Sequence, residues 1–544
     1  MENGRSSRRN WVTADGSYPI HPFMFAIVSV LAMLANGLDH ADYADIVPAL
    51  GGSLAFALTA LLLAGAVIRR LDARTAVIAS IWIVGSLYYA SLFDDINKLL
   101  GGGFSMVNSL AVSVPVLVGL TIAAARVRFP LNNVNLILNC IAVVMLVTPV
   151  WNIAVYEWRY GAARNVYDPV KAAEEMPEIA ASGATADSAA KRPPDIYHFI
   201  FDRYTSESVL TTHYDLDNSA IGRFLEERGF HVARESNSNY QKTGHSLAST
   251  FYMDYLDLLA DDDRLAPKGW HPIYAMLDDH RVARFLKNRG YDFIQFGSWW
   301  GGTFHNPLAD ENHPHGFSEF NMLYLRKTIL RPLFHIMPDS DFTSRLDWDN
   351  GQCGRVANQI EQIKAIGQRD KSVYVFTHIL VPHGPYNFAT DGRCLSIDES
   401  LERGEPQGYI DQIAYANRII EEIVPALQAP DREPPVILIQ SDEGPFPRKR
   451  DYSVPWQDSP AHELQIKTGI LNAYYFPDQD YSMLSDDTTS VNTYRILFNH
   501  YFGTEFPLLP DRVFAFPDPI IYEFHDVTEN VRGAADAPAS SQIN

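Results

Sequence analysis

The stretch Val436–Pro445, with the sequence VILIQSDEGP, joins an apolar β-branched run to two adjacent carboxylates and a Gly-Pro break. Such a run is typical of a buried parallel strand, and open α/β sheets bind ligands in the crevice at the carboxyl ends of these strands. Two carboxylates buried there need a compensating cation, so Asp442 and Glu443 are candidate metal ligands. A solvated turn after a strand is the other interpretation of the same residues.

The pattern around this strand extends over residues 195–526, where apolar strand-like runs alternate with longer amphipathic segments. This alternation predicts an α/β domain with a mostly parallel sheet. The predicted strands are Asp195–Asp202, Tyr291–Phe296, Ser372–Thr377, Val436–Ser441 and Gly469–Phe476. The predicted helices are Asn218–Arg228, His245–Leu258, Ile273–Asn288, Gly354–Gly367, Tyr409–Leu427 and Val491–Tyr501.

The N-terminal part of the chain is built differently, from long apolar runs. A helix needs ~20 apolar residues to cross a ~30 Å hydrocarbon core, and the runs approach that length. No small-residue cleavage site follows the first run, so it is expected to be a retained anchor. The runs are Phe23–Ala35, Ile46–Ile68, Ala76–Phe93, Met106–Ala125 and Val134–Tyr156.

The charges between these runs alternate in sign. One set of connectors carries Arg5, Arg8, Arg9, Arg69, Arg70, Arg74, Arg126 and Arg128. The other set carries Asp39, Asp42, Asp45, Asp94, Asp95 and Lys98. Positively charged loops stay in the cytoplasm. The pattern therefore predicts a bundle of five spans in the cytoplasmic (inner) membrane, with a cytoplasmic N-terminus and an extracytoplasmic, periplasmic C-terminal domain.

The composition divides the chain accordingly. We expect a transmembrane domain at residues 1–156, a flexible linker rich in Ala, Glu, Ser, Thr and Pro at 157–194, the catalytic α/β domain at 195–526 and a disordered tail at 527–544. The formal net charge of −21 argues against a nucleic-acid partner, because phosphate backbones are neutralised by clustered Lys and Arg.

Two further positions carry groups suited to chemistry. Asp202 and Arg203 follow the first predicted strand of the α/β domain, and Thr243 stands where a Gly-containing approach enters an apolar helical pattern. The structural interpretation is that Asp202 pairs with Arg203 and that Thr243 caps its helix. The functional interpretation is that Thr243 is a nucleophile whose alkoxide is stabilised by helix N–H groups and a metal ion.

The strand Ser372–Thr377 runs into a second candidate segment, His378–Tyr386. His383 lies in a Pro-His-Gly-Pro setting that restricts the backbone, which favours an imidazole presented to a cleft over a structural histidine. Arg448 belongs to a basic cluster after Glu443, and it is a candidate contact for an anionic substrate or a lipid head group, with a solvated loop as the alternative.

The chain has three cysteines. Cys140 lies in an apolar run. Cys353 and Cys394 lie in the predicted extracytoplasmic part, where a disulfide between them is permitted. Two free thiols are the alternative.

Taken together, the motifs resemble the alkaline phosphatase/sulfatase superfamily, and more closely its membrane-anchored branch with lipoteichoic acid synthase and phosphoethanolamine transferases. The resemblance covers roughly residues 195–514. It implies that Asp202, Thr243 and Asp442 bind one divalent metal, and that the loop from His378 contacts the substrate. In the family a histidine usually stands at the position of Glu443. The resemblance with Glu443 therefore implies an oxygen-rich site that favours Mn²⁺, Mg²⁺ or Ca²⁺ over Zn²⁺.

The resemblance also implies a reaction. Thr243 would attack phosphorus, and His383, with His378 second, would protonate the leaving group or hold a phosphoryl oxygen, with Arg203 and Arg448 as further substrate contacts. The expected protein is a membrane-anchored sulfatase-like hydrolase or transferase, acting at the bilayer on an anionic lipid or envelope-glycan phosphoester. Sulfatase chemistry is disfavoured, because no Cys/Ser-x-Pro-x-Arg pattern occurs at Thr243.

Two alternatives remain. The first is a catalytically inactive relative that binds or assembles envelope components, which Glu443 in place of histidine favours. The second is a polytopic glycosyltransferase, which would use a carboxylate of the first outward loop such as Asp42.

Overall fold

The computed structural model describes residues 18–99, 101–103, 105–174, 176, 192–260, 262–337, 352–367 and 369–533. The chain forms two compact units. The first, here called the helical unit, comprises Met1–Gly161 and Phe317–Thr343; the second, the sheet unit, comprises Ala162–Gly316 and Ser344–Asn544. The N-terminal residues 1–17, part of the predicted linker (177–191) and the end of the predicted tail (534–544) lie outside the described residues.

The helical unit begins with helices at all five apolar runs. They are α1 (His21–Asn36), α2 (Ile46–Ile68), α3 (Ala73–Leu87), α4 (Tyr89–Leu99), α5 (Met106–Arg126) and α6 (Asn132–Tyr160). The run Ala76–Phe93 was predicted as one helix, but the structure breaks it at Tyr88, and α4 turns by 72° from the direction of α3.

Judged by helix length and apolar composition, the number of spans is smaller than the five that the charge pattern predicts. Among the described residues, three helices are long and apolar enough to cross a membrane, or four if the bent pair α3–α4 counts as one span. The first helix has 16 residues, which at ~1.5 Å per residue is short for a ~30 Å core. Five spans are therefore not confirmed.

The sheet unit is an α/β domain, as predicted. Its seven-stranded sheet has the order β2-β7-β6-β1-β5-β3-β4. Only β7 runs antiparallel, pairing with β6 and β2, so the prediction of a mostly parallel sheet is confirmed. The strands are β1 (Ile196–Phe201), β2 (His231–Val232), β3 (Asp292–Phe296), β4 (Glu311–Asn312), β5 (Val373–Ile379), β6 (Val436–Gln440) and β7 (Asn472–Tyr475). A separate pair consists of β8 (Phe514–Ala515) and β9 (His525–Asp526).

Helices cover the sheet. They are α7 (Pro169–Glu174), α8 (Glu207–Tyr214), α9 (Ser219–Glu227), α10 (Thr243–Tyr252), α11 (His271–Asp278), α12 (Arg281–Asn288), α13 (Gly301–Phe304), α16 (Cys353–Ala365), α17 (Ile397–Arg403), α18 (Gln407–Leu427), α19 (Ala461–Thr468), α20 (Thr493–Phe502) and α21 (Thr528–Gly533). The predicted single helix Ile273–Asn288 is in fact α11 and α12. Its break lies at His280, whose Nδ1 accepts a hydrogen bond from the Ala283 N–H and caps the second helix.

The core lies on both faces of this sheet. Successive side chains of a strand point to opposite faces. In β1, accordingly, Ile196 and Ile200 belong to one hydrophobic cluster, while Tyr197, Phe199 and Phe201 belong to the other. All six residues of β1 are buried, which explains why a central parallel strand reads as a continuous apolar run.

Two segments differ from the expected linker and tail. Within the predicted linker, Tyr167 is buried in the core of the sheet unit, and the Arg281 guanidinium donates from Nε to the Ala172 carbonyl at 2.9 Å. Within the predicted tail, α21 places Val531 in a small cluster with Trp456. Because both segments are mostly polar in composition, the sequence did not predict that Tyr167 and Val531 are buried.

The helical unit also contains a segment remote in sequence. Helices α14 (Glu319–Arg326) and α15 (Leu330–Ile336) belong to it. Phe320 and Tyr324 pack in a cluster with Val30 and Leu34 of α1. The Tyr324 hydroxyl lies 2.7 Å from Ser29 Oγ and 2.7 Å from Ser53 Oγ.

Candidate metal centre

Three neighbouring strands of the sheet bring the predicted site together. β1 lies between β5 and β6, with Phe201 opposite Ile379 and Ile200 opposite Gln440. Asp202 follows β1 directly, His378 is the next-to-last residue of β5, and Asp442 follows β6. Because parallel strands end at the same edge of a sheet, these three residues share one crevice.

Asp202, His378 and Asp442 form a group of candidate metal ligands. One ligand atom of each lies within 4.8 Å of those of the other two, and all three residues are buried. His378 Nε2 is 3.3 Å from Asp202 Oδ2. Two carboxylates and one imidazole are a ligand set that divalent metals accept.

The electrostatics of this group favour a bound cation. Asp202 Oδ1 and Asp442 Oδ2 are buried and have no hydrogen-bond partner among the described residues, an arrangement that is costly for carboxylates. Burial, together with the charges of Asp202 and Glu443, raises the pKa of Asp442 to about 7. Burial also acts to raise the pKa of Asp202, but His383 and His378 outweigh it and hold that pKa below its usual range. These residues therefore fit a divalent metal ion.

The imidazole of His378 is held by side chains of the segment that follows β3. Thr303 Oγ1 lies 2.8 Å from His378 Nδ1, and Ser298 Oγ lies 2.8 Å from Thr303 Oγ1. The Trp300 ring contacts His378 edge-on at 6.3 Å between centroids. A hydrogen bond from Nδ1–H to Thr303 leaves Nε2 free to coordinate, which is the usual arrangement of a metal-bound histidine.

Thr243 is the first residue of α10, and its side chain lies near Asp442, whose pKa it acts to lower. It is half-buried. The next residue, Gly244, allows the helix start to approach the aromatic wall of the site, because a Cβ there would lie 2.4 Å from Trp270 Cζ3. The helix N-terminus supplies backbone N–H groups without intrahelical partners, which favour an anion.

Glu443, a predicted metal ligand, is not part of the ligand group. Its Oε1 accepts hydrogen bonds from Arg203 Nε at 3.1 Å and lies 2.7 Å from Lys467 Nζ. Burial lowers the pKa of Lys467 to about 8, with Glu443 acting in the opposite direction. The carboxylate is thus engaged by two cations. The oxygen-only site expected from the sequence is replaced by one in which His378 offers a ring nitrogen.

Arg203 lies beside the metal group with an unusual backbone. Its φ angle of 65° is in the left-handed region, which costs energy for a residue other than glycine. This conformation directs its backbone N–H to Asp442 Oδ1 at 3.1 Å. The guanidinium lies 4.7 Å from the centre of the Phe446 ring.

His383 lies near Asp202, whose pKa it acts to lower, whereas Arg448 makes its contacts elsewhere. His383 Nδ1 contacts the carbonyl of Gly384, and the Trp299 ring is 6.3 Å from the His383 ring. Burial and the nearby Arg203 lower the pKa of His383 to about 4, so its imidazole is neutral at neutral pH. Arg448 Nη2 donates to the His213 carbonyl at 2.8 Å, on the ring of Tyr214. The structure does not bring Arg448 to the metal group.

Cys353 and Cys394 are joined in a disulfide, with Cα atoms 5.9 Å apart, and Cys140 is a free cysteine. The 41-residue separation of the two half-cystines spans β5 and the loop that carries His378 and His383. The disulfide therefore closes a covalent loop around the histidine segment.

Comparisons with known proteins gave similarities only among solved structures. No protein-family model and no curated protein matches the chain. The C-terminal periplasmic domain of EcEptC from Escherichia coli, in complex with Zn, is 11% identical; the match covers 66% of this chain and 97% of that one, with a TM-score of 0.41. The integral membrane protein lipooligosaccharide phosphoethanolamine transferase A (EptA) from Neisseria meningitidis is 11% identical over 89% of this chain and 94% of that one, with a TM-score of 0.38.

A protein of the alkaline phosphatase superfamily from Vibrio parahaemolyticus is also 11% identical, over 66% of this chain and 84% of that one, with a TM-score of 0.37. Phosphoethanolamine transferases and an alkaline phosphatase superfamily member are thus among the similar structures, in agreement with the resemblance of the motifs. At these identities and TM-scores, the similarities assign no residue role and no reaction to this chain.

Proposed function

We propose that this chain is a membrane-anchored, metal-dependent transferase or hydrolase that cleaves a phosphoester of a lipid or an envelope glycan, with Thr243 as its nucleophile. One observation carries the proposal: the Thr243 side chain, at the first position of a helix, lies close enough to Asp442 of the buried ligand group to act on its pKa. Nucleophile, proton acceptor and anion-binding N–H groups therefore meet at one point, as acyl- and phosphoryl-transfer sites require.

The residues of the chain would divide the work as follows. The Asp442 carboxylate orients Thr243 Oγ1 and accepts its proton. The Oγ1–P bond forms while the bond from phosphorus to the leaving oxygen breaks, and the leaving oxygen takes up a proton. Water or an acceptor alcohol then attacks phosphorus and releases Thr243. His383, neutral at neutral pH, is suited to donate a hydrogen bond to a phosphoryl or leaving oxygen.

Asp202, His378 and Asp442 would hold a divalent ion, with Thr243 next to it. When such an ion is bound, its charge favours ionisation of a neighbouring hydroxyl and offsets the negative charge of a phosphoryl group. The mixed nitrogen and oxygen ligands suit Zn²⁺ or Mn²⁺. The alternative of an inactive relative rested on the lack of a ring nitrogen at Glu443, and a nitrogen from His378 removes that argument.

The substrate class follows from the helical unit. Helices long enough to cross a membrane hold the chain at the bilayer, where lipid-linked phosphoesters are concentrated. The alternation of Arg-rich and Asp-rich connectors supports a sheet unit outside the cytoplasmic membrane.

The test uses the full-length protein in detergent micelles with phosphatidylethanolamine that carries a fluorescent acyl chain. We expect release of fluorescent diacylglycerol, inhibition by a chelator and recovery after metal is added back. Thr243→Ala should lower turnover by roughly 10³-fold or more, while Thr211→Ala, an exposed helical threonine of the same unit, should keep the wild-type rate. Intact mass measurement should detect one phosphoethanolamine group bound to wild type and to Thr211→Ala, and none bound to Thr243→Ala. Turnover that survives Thr243→Ala would contradict the proposal.

A further inference from the structure

The helical unit contains a large crevice that the proposed reaction does not use. Helices α3, α4, α5 and α6 enclose a cavity of about 860 Å³, within the ~300–1,000 Å³ range of ligand pockets. Its wall is formed mainly by aliphatic side chains, such as Val84, Leu92, Val112, Val116, Leu138 and Met145. Leu92 and Val116 are 43% and 52% exposed, so the crevice is open on one side.

The hydrogen bonds and close packing of α5 on α3 lie in the C-terminal half of α5, where Arg74 Nη1 also donates to the Ala125 carbonyl at 2.7 Å. Leu117 is the buried residue of α5. It packs on Gly85, where a Cβ would lie 2.4 Å from Leu117 Cδ2. Nearby, Trp82 Nε1 donates a hydrogen bond to Thr121 Oγ1 at 3.0 Å. In the N-terminal half of α5, the contact is with α4, whose Tyr89 hydroxyl bonds to Ser109 Oγ, and α4 is bent by 72° from α3.

The polar atoms in the wall are already engaged by the protein. The Tyr88 hydroxyl donates to the Phe25 carbonyl at 2.8 Å, and Ser113 Oγ donates to the Ser109 carbonyl at 2.9 Å. Ser80 Oγ lies 2.6 Å from His21 Nδ1. A polar ligand would thus find few free partners here, and an apolar space of this kind does not hold water well.

The length of the crevice matches one leaflet of a bilayer. Its wall on α5 extends from Ser109 to Leu120, about 17 Å at ~1.5 Å per residue. Half of a ~30 Å hydrocarbon core is ~15 Å. An extended hydrocarbon chain of that length would lie along the crevice wall.

We propose that this crevice binds one acyl chain of a membrane phospholipid. The chain lies along α5 between α3 and α6, and its ester end reaches α4. In α4, Asp94, Asp95 and Lys98 are exposed while Leu92 and Phe93 line the crevice, so this amphipathic helix marks the level of the head groups. The site lies wholly in the helical unit and does not depend on the proposed reaction.

The test is photocrosslinking of the full-length protein in phosphatidylcholine nanodiscs that contain phosphatidylcholine with a diazirine at the end of one acyl chain. Peptide mapping of wild type should find labels concentrated on crevice residues of α3, α5 and α6. Val116→Trp fills the crevice and should lower that labelling by about tenfold, the equivalent of ~1.4 kcal/mol. The matched control is Val118→Trp, which changes an equally apolar residue of α5 that is 41% exposed and lies outside the crevice wall.

If Val116→Trp does not fold, the distribution of labels on the wild-type protein alone still tests the proposal. Labels spread evenly over α5, including Val114 and Val118, would overturn the proposal. So would unchanged crevice labelling in a folded Val116→Trp protein. Val116→Trp could also change the oligomeric mass of the protein without loss of label. That result would identify this face as a contact between copies of the chain and would overturn the proposal of an acyl-chain site.

Discussion

Thr303 Oγ1 lies 2.8 Å from His378 Nδ1, on the side of the imidazole away from Asp202, whose Oδ2 is 3.3 Å from Nε2. This pair fixes the ring orientation of the only imidazole in the ligand group. It connects β5 with the short helix α13, two elements that are far apart in sequence. The nitrogen that faces the carboxylates is therefore set by a residue outside every sequence motif.

Removal of this hydrogen bond should weaken metal binding. We expect Thr303→Val to lower the affinity for Zn²⁺ or Mn²⁺ by about 10–100-fold, because the ring loses its orienting partner. Competitive titration with a metal indicator measures the metal affinity of each protein. Thr377→Val is the control, because Thr377 Oγ1 is buried beside His378 without a hydrogen-bond partner among the described residues. Equal affinities for Thr303→Val and wild type would refute the role.

Glu443 should be structural. We expect Glu443→Ala to keep one metal ion per chain, measured by elemental mass spectrometry, while Asp442→Ala loses it. The same variant should be destabilised by about 3–5 kcal/mol, because Lys467 remains buried without its partner. Glu463→Ala breaks the Arg450–Glu463 pair, 2.8 Å apart and away from the site, and controls for loss of an ion pair. If Glu443→Ala loses the metal and Glu463→Ala keeps it, Glu443 is a metal ligand.

The disulfide can be tested by counting the free thiols of the protein. Alkylation of the unfolded, unreduced protein should modify Cys140 only, and reduction should add two sites. We expect the double variant Cys353→Ser/Cys394→Ser to be less stable by about 4 kcal/mol, the value for closing a loop of this length. Cys140→Ser should keep the melting temperature. Three alkylated cysteines without reductant would exclude the bond.

Stability of the helical unit should fall as pH rises through the neutral range. Burial, with the charge of Asp45, raises the pKa of Glu319 to about 7; burial, with Asp42, raises that of Asp45 to about 6. Both groups bind protons more tightly in the folded chain than in the unfolded chain. Their stabilising effect is therefore complete below about pH 4 and is lost as pH rises to about 7.

Melting temperatures of the purified protein at pH 5 and pH 8 test this dependence. We expect Glu319→Gln to resemble wild type at pH 5 and to exceed it at pH 8. Glu227→Gln, at an exposed helical position, should keep the wild-type pH dependence. Parallel pH profiles for wild type and Glu319→Gln would contradict the assignment.

The sheet could be predicted from the sequence because its central strands are buried on both faces. Val436–Gln440 and Val373–Ile379 are continuous apolar runs for that reason. The reversed direction of β7 could not be predicted, since its residues are also buried throughout and an apolar run carries no mark of direction.

The candidate site was predictable only in part. Asp202 and Asp442 stand at strand ends, a local signal. Lys467 instead comes from α19, 24 positions after Glu443 in the chain, and its ion pair withdraws Glu443 from the ligand group. Thr303 reaches His378 because the segment after β3 packs against β5. Both contacts depend on how distant elements pack, which a single sequence does not encode locally.

The membership of Phe317–Thr343 in the helical unit affects how the protein can be divided. A soluble fragment that starts at residue 162 retains this segment but loses α1 and α2, against which Phe320 and Tyr324 are buried. In such a fragment the side chains of Phe320 and Tyr324 would be exposed to water, and the fragment should self-associate. Replacement of residues 317–343 by a short Gly-Ser linker should yield a monodisperse fragment of the sheet unit, free of detergent.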